Sequence, residues 1–411
     1  MKKLIVVVAA SLGFCAAAFA FDSAFWSDIQ KFPVPKYRFD GAGENTKALK
    51  LYFEGEKLGG KPTEVFAYYC TPSILKGGAP DKNLPAVVCV HGGGGRAFAK
   101  WVELWAARGY AAIAIDWRGN GADPLYEKIT PELRKKVSAY RLESRKHLEN
   151  GGPEHTPETV SLADKKAENQ AWAYFAVGAI VRAHSLIRSF PEVDAERTAI
   201  TGISWGGFLT CLTSGIDGRF KAAVPVYGCG FIFEKTDCFD WSGFTGAGTD
   251  SQKRWIELFD PSKSLEIETV PMLFVNSPKD PYYPLSIWTK SAKLAKAQAL
   301  LVSTLGHSHG QGWGVPEIEK FISSKLNKTA PLPEIGEIER NGNIVSCNIG
   351  DARKAELFFT DAEGESSSKY KWQSIPMKID GKTASIELPK DAKIFYITAT
   401  DSRGNRISSF L

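Results

Sequence analysis

Gly202-Ile203-Ser204-Trp205-Gly206-Gly207 carries the pattern G-x-S-x-G, which places a serine on the sharp turn between a strand and a helix. A strand that reverses directly into a helix brings two backbones so close that the flanking positions must be small, hence Gly202 and Gly206. The surroundings fit that context. Arg197 to Ile203 reads as a short buried strand, and Gly207 to Ser214 as the start of an apolar helix. Ser204 is therefore the candidate nucleophile, held up and exposed at a strand end.

Working outward, the apolar run Leu84 to Val90 has the character of a central strand covered on both faces. It ends at His91-Gly92-Gly93-Gly94-Gly95, and a helical spacing of Phe98, Trp101, Leu104 and Trp105 follows, stopped at Gly109. Ala111 to Trp117 is the next strand. The alternation continues with a helix from about Gln170 to Phe190, the strand into Ser204 and strands at Ala222 to Tyr227 and Met272 to Asn276. A helix at Leu285 to Ala297, a strand at Ala299 to Thr304 and a last helix at Pro316 to Leu326 complete it. Such alternation predicts an α/β fold with a mostly parallel sheet and helices on both faces. Leu49 to Phe53 and Thr63 to Cys70 alternate as antiparallel edge strands.

Sites in parallel sheets lie beyond the carboxyl ends of the strands, where His91, Asp116, Ser204, Asp280 and His307 fall. A serine hydroxyl needs an imidazole to take its proton, and the imidazole needs a carboxylate to fix its tautomer. Asp280, in the loop after the strand ending at Asn276, supplies the carboxylate. His307 follows Gly306 directly after the next strand and is the expected base, with His309, two residues further on, as the alternative. The oxyanion of acyl transfer needs backbone N–H donors, expected from Gly93, Gly94 and Trp205. No Gly-Lys-Ser/Thr follows the glycine run, so a phosphate loop is not indicated. Asp116-Trp117-Arg118-Gly119 reads as a brace for that loop. The two histidines find no further ligands at metal spacing, and this chemistry calls for no cofactor.

The chain has 411 residues, 44% hydrophobic and 24% charged, with a formal charge of +5. The basic residues are interspersed with acids, so no nucleic-acid partner is expected. Residues 1–20 read as a signal peptide: Lys2 and Lys3, an apolar run from Leu4 to Phe14, and Ala18-Phe19-Ala20 as the cleavage site. A secreted or periplasmic protein without a membrane anchor is expected. Of the six remaining cysteines, Cys229 and Cys238 are the first candidate pair. The catalytic domain is expected over 21–330, with cap-like insertions near 121–166 and 231–268. The charge runs Arg134-Lys135-Lys136 and Arg145-Lys146-His147 read as a solvated helix. Past Pro331-Leu332-Pro333, short alternating runs predict a small all-β domain, a sandwich, over 331–411.

With these residues assembled, the chain resembles the α/β-hydrolase superfamily and, within it, the acetylxylan esterase, dienelactone hydrolase and prolyl-oligopeptidase-like group. The resemblance covers about residues 45 to 327 and rests on four pieces. These are His91-Gly92-Gly93-Gly94-Gly95, Asp116-Trp117-Arg118-Gly119, the elbow with Pro191-Glu192-Val193-Asp194 before it, and Gly306-His307-Ser308-His309-Gly310. It implies cleavage of carboxylic esters, often acetyl groups on polysaccharides, through an acyl-enzyme. Peptide cleavage is the alternative within the group, and a non-catalytic carbohydrate-binding protein the alternative outside it. Trp205, Trp241, Tyr282, Tyr283 and Trp313 are candidates for stacking on sugars.

Overall fold

Val87, Val88, Cys89 and Val90 are consecutive and all fully buried. Successive strand residues point to opposite faces, so their strand, β4 (Leu84–Val90), is covered above and below. The computed structural model describes residues 21–124, 145–155, 165–234, 249–267, 269–302, 309–362 and 369–410. Within them β4 pairs in parallel with β5 (Ala111–Ile115) on one side and β6 (Val193–Ile203) on the other. The parallel run continues through β7 (Ala222–Val226), β8 (Leu273–Asn276) and β9 (Gln298–Leu301). At the other edge, β3 (Lys61–Cys70), β2 (Leu49–Leu58) and β1 (Tyr37–Ala42) add antiparallel strands in that order.

Helices Ala99–Ala107, Trp172–Arg188, Trp205–Ser214 and Pro316–Leu326 pack against this sheet. All ten residues of Trp205–Ser214 are buried, which explains why its sequence carries no charge. This is the mostly parallel, helix-covered sheet of the α/β-hydrolase fold. The expected strand to Trp117 stops at Ile115, because Asp116 turns its carboxylate onto the backbone N–H groups of Arg118 and Asn120. The expected helix to Ala297 stops at Leu294, and Lys296 follows in the left-handed region.

The C-terminal part forms two antiparallel sheets. One, β10 (Glu339–Asn341), β11 (Ile344–Asn348), β15 (Thr383–Glu387) and β14 (Lys378–Asp380), stands separately. The other joins the hydrolase sheet. β17 (Arg406–Ser408) pairs with β9 at Ser408 opposite Ala299, and β16 (Ile394–Thr400), β12 (Lys354–Thr360) and β13 (Gln373–Pro376) follow outward. Ser408 Oγ accepts from the Leu301 N–H at 3.1 Å, which reinforces the junction. Docking β17 removes the exposed edge that β9 would otherwise present.

Cys229 is a buried thiol, as are Cys70, Cys89 and Cys347. The expected bond from Cys229 is therefore not formed, and Cys238 lies outside the described residues. Arg145 is buried in irregular backbone instead of lying on a solvated helix. The other run, Arg134 to Lys136, lies outside the described residues, as do residues 1–20, most of the first insertion, and residues 235–248 and 268 of the second. No helix among the described residues is long and apolar enough to cross a membrane.

Candidate active site

Ser204 stands between the end of β6 and the first residue of helix Trp205–Ser214, with φ 58° and ψ −121°. That conformation is strained for a residue with a Cβ and persists only where the surroundings over-determine it. They do so here. The Ser204 N–H donates to Val226 O and its carbonyl accepts from Phe208 N–H, both at 2.9 Å. A Cβ on Gly202 would lie 2.1 Å from Gly206 O, and one on Gly206 would lie 2.0 Å from Val90 O. Glycine is thus obligatory on both sides of the serine.

The glycine run lies directly on this turn. A Cβ on Gly92 would come within 3.0 Å of Ser204 Cβ, and one on Gly93 within 2.6 Å of Trp205 Cδ1. Gly94 is exposed. The carbonyls of the run are held from behind. Gly92 O accepts from the Gly95 N–H at 2.9 Å and lies 2.6 Å from His91 Nδ1. Gly93 O accepts from Arg118 Nη1 at 2.6 Å, and Gly95 O from Arg145 Nη1. Asp116, fully buried, ties these donors together through the Arg118 N–H, the Asn120 N–H and Arg145 Nη1. The expected brace is present at Asp116, and Arg145 was missed because its signal was lost in a charge run.

His91 is buried with its ring stacked on Trp117 at 5.3 Å, and Trp117 Nε1 donates to His91 O at 2.7 Å. Burial drives its imidazole well below the usual range, and Arg145, Arg118 and Arg96 push the same way. His91 is therefore a neutral packing group behind the loop. His155 lies against Trp172 and Trp205, at 4.5 and 4.9 Å between ring centres, and burial pushes its imidazole down to about 4.

Asp280 is fully buried in the loop after β8. Its Oδ1 accepts the N–H groups of Tyr282 and Tyr283, each at 2.7 Å. Burial pushes its carboxyl up to about 7, with those two N–H groups acting in the opposite sense. Burial likewise raises Tyr283, which the Cys229 and Asp280 charges reinforce and the neighbouring Ser204 side chain opposes. Tyr283 is thus an interior residue next to the serine and not a platform for sugars, and Trp205 is buried too. Tyr282 is exposed, and Trp313 is half-buried against Phe98 and Trp101. Trp241 lies outside the described residues.

His307 also lies outside the described residues, and of His309 only the backbone is described. That backbone opens the 3-10 turn His309–Gly314. A Cβ on Gly312 in this turn would lie 2.7 Å from Val226 Cγ1, 3.3 Å from Tyr227 Cε2 and 3.6 Å from Ile203 Cδ1. The segment after the histidines is thus seated beside the serine. Among the described residues no cluster of His, Cys, Asp or Glu could hold a metal ion.

A family model for acetyl xylan esterase matches residues 23–237, just over half of the chain. The chain belongs to the acetyl xylan esterase family. A model for the prolyl oligopeptidase family also matches residues 179–314, from before the serine to the turn beside it. The protein is accordingly a hydrolase. Among solved structures, acetyl xylan esterase from Paenibacillus sp. R4 is 20% identical with a TM-score of 0.51, over 74% of this chain and 94% of that one. Acetyl xylan esterase 1 from Thermoanaerobacterium sp. JW/SL YS485 is 15% identical with a TM-score of 0.50, over 68% and 84%. These likenesses show the fold. A comparison with curated protein sequences gave no match.

Proposed function

We propose that this member of the family is an exported serine esterase that removes acyl groups, acetyl foremost, from a carbohydrate through an acyl-enzyme. The observation that carries the reading is the strained Ser204 with the Gly92–Gly93 backbone packed on it, in a chain matched by the esterase model. Ser204 Oγ attacks the ester carbonyl and His307, or His309 in its place, takes the proton. Asp280 orients that imidazole and stabilises its charged form.

The oxyanion is received by backbone N–H groups. A trans peptide points its N–H opposite to its C=O. Gly92 O and Gly93 O are both engaged behind the loop, which supports the Gly93 and Gly94 N–H groups as donors on its other side. Trp205 is the first residue of its helix, so its N–H lies at the positive end of the helix dipole. The leaving alcohol takes the proton back from the imidazole, and water then repeats the sequence to release the acid. The pattern of residues 1–20 supports export.

The prolyl oligopeptidase match favours a second reading, cleavage of peptide or arylamide bonds at the same serine. A fluorophosphonate probe followed by peptide mass spectrometry, beside rates on aryl acetates and aminoacyl arylamides, tests both. The expected result is modification of Ser204 with ester turnover well above arylamide turnover. Labelling with the reverse preference would favour the peptidase. Modification elsewhere, or none with no turnover, would overturn the serine mechanism and favour a carbohydrate-binding role.

A further inference from the structure

The loop that carries Asp280 is a tight turn. Asp280 N–H donates to Ser277 O at 3.2 Å, so Pro278 and Lys279 occupy its two corner positions. Proline suits the first corner because its φ is already set. The peptide between the corners is the part of such a turn that can flip, because its C=O and N–H take no part in the closing bond. Here both ends of that peptide are pinned. The Lys279 N–H donates to Ser277 Oγ at 3.2 Å, and the Pro278 carbonyl accepts from Trp372 Nε1 at 3.1 Å.

Trp372 comes from the C-terminal β unit, 94 residues away in sequence. Its ring lies edge-on to Tyr396 at 5.1 Å, and Tyr396 is stacked on Phe358 at 4.8 Å with the planes 3° apart. Tyr396 is fully buried on β16 and Phe358 faces it across the β12–β16 pairing. Those strands extend the hydrolase sheet through β17 and β9, and β9 is the neighbour of β8, from which the Asp280 loop leaves. The indole is therefore mounted on a rigid extension of the sheet that carries the loop.

We propose that Trp372 is a positioning residue for the proposed acid: by holding the Pro278–Lys279 peptide in one orientation, the C-terminal β unit fixes where Asp280 sits. The inference rests on the reading of Asp280 as the acid of the serine mechanism. Misplacing a catalytic group by about 1 Å costs on the order of 100-fold in rate, and one lost tether releases the turn only part of the time. Trp372→Phe keeps the ring against Tyr396 and removes only the donor. It is expected to lower kcat for an aryl acetate roughly tenfold with KM little changed, as follows for a group that acts through Asp280 and not on the substrate.

The discriminating measurement is a double-mutant cycle between Trp372→Phe and Asp280→Asn in the full chain, with melting curves on each protein. If the indole acts through Asp280, the substitution at 372 has little further effect once Asp280→Asn has been made. Two losses that multiply, or normal turnover in Trp372→Phe while Asp280→Asn is crippled, would overturn the tether and leave the acid assignment standing. Normal turnover in Asp280→Asn would overturn the acid assignment and the tether with it. A fall in kcat that tracks a lowered melting temperature, and is recovered on cooling the assay, would assign Trp372 to stability alone.

Discussion

Asp280→Asn separates the electrostatic cost of the site from its catalytic use. The side chain is fully buried and its carboxyl is pushed from the ordinary 3.8 up to about 7. The sign follows from proton linkage. Between these values the folded protein holds a proton that the unfolded chain has released, so stability falls as pH rises through this window. A difference of about three units, at roughly 1.4 kcal/mol each, amounts to about 4 kcal/mol, absent in acid and fully present above neutrality. Asparagine keeps an Oδ1 to accept the Tyr282 and Tyr283 N–H groups and carries no charge.

Urea unfolding of wild type and variant from about pH 4 to pH 8 should therefore show the variant gaining on the wild type by about 4 kcal/mol. Over the same range its turnover should stay low, by analogy with other triads roughly 10⁴-fold below the wild type. A stability difference that is flat with pH, or that moves in favour of aspartate as pH rises, would refute the buried, proton-holding carboxyl.

Three further outcomes are expected. Ser204→Gly should abolish turnover yet raise stability by about 1–3 kcal/mol, since the backbone at φ 58° and ψ −121° is strained for serine and free for glycine; an unchanged or lowered melting temperature would count against strain at the elbow. Arg118→Met frees Gly93 O, and because one oxyanion donor is worth about 10²–10³ in kcat, a partial loss of roughly tenfold or more should appear in kcat on aryl acetates. Between His307→Ala and His309→Ala, the first should abolish turnover and the second leave much of it; the reverse pattern would move the base to His309.

Those parts of the fold that follow a period were legible in the chain. The continuous run of β4 and the alternation in β2 were legible because burial on two faces or one leaves a distinct pattern. β3 was expected as an alternating edge strand, yet it lies between β2 and β5 and is buried without a break from Val65 to Cys70. The elbow was legible for a steric reason: only glycine fits at 202 and 206. What escaped depends on contacts between distant segments. Arg145 sits in a charged run that reads as solvated, and only the fold reveals the buried Asp116 and the Gly95 carbonyl that receive it. Likewise Tyr283 stands beside Tyr282 in sequence, and nothing local tells that one faces the core and the other solvent. The docking of β17 on β9 was illegible too, since edge pairing uses backbone groups that every residue has.

The central claim, a serine esterase acting on acylated carbohydrate, is tested most directly by acetate release from acetylated xylan. The measurement sets the protein without residues 1–20 beside its Ser204→Ala variant. The account predicts release by the first and a rate at least about 10³-fold lower from the second, with matching melting curves. Equal release by both would contradict the serine mechanism. Release by neither, with rapid cleavage of arylamides by the unmodified protein alone, would leave Ser204 as the nucleophile and overturn the esterase.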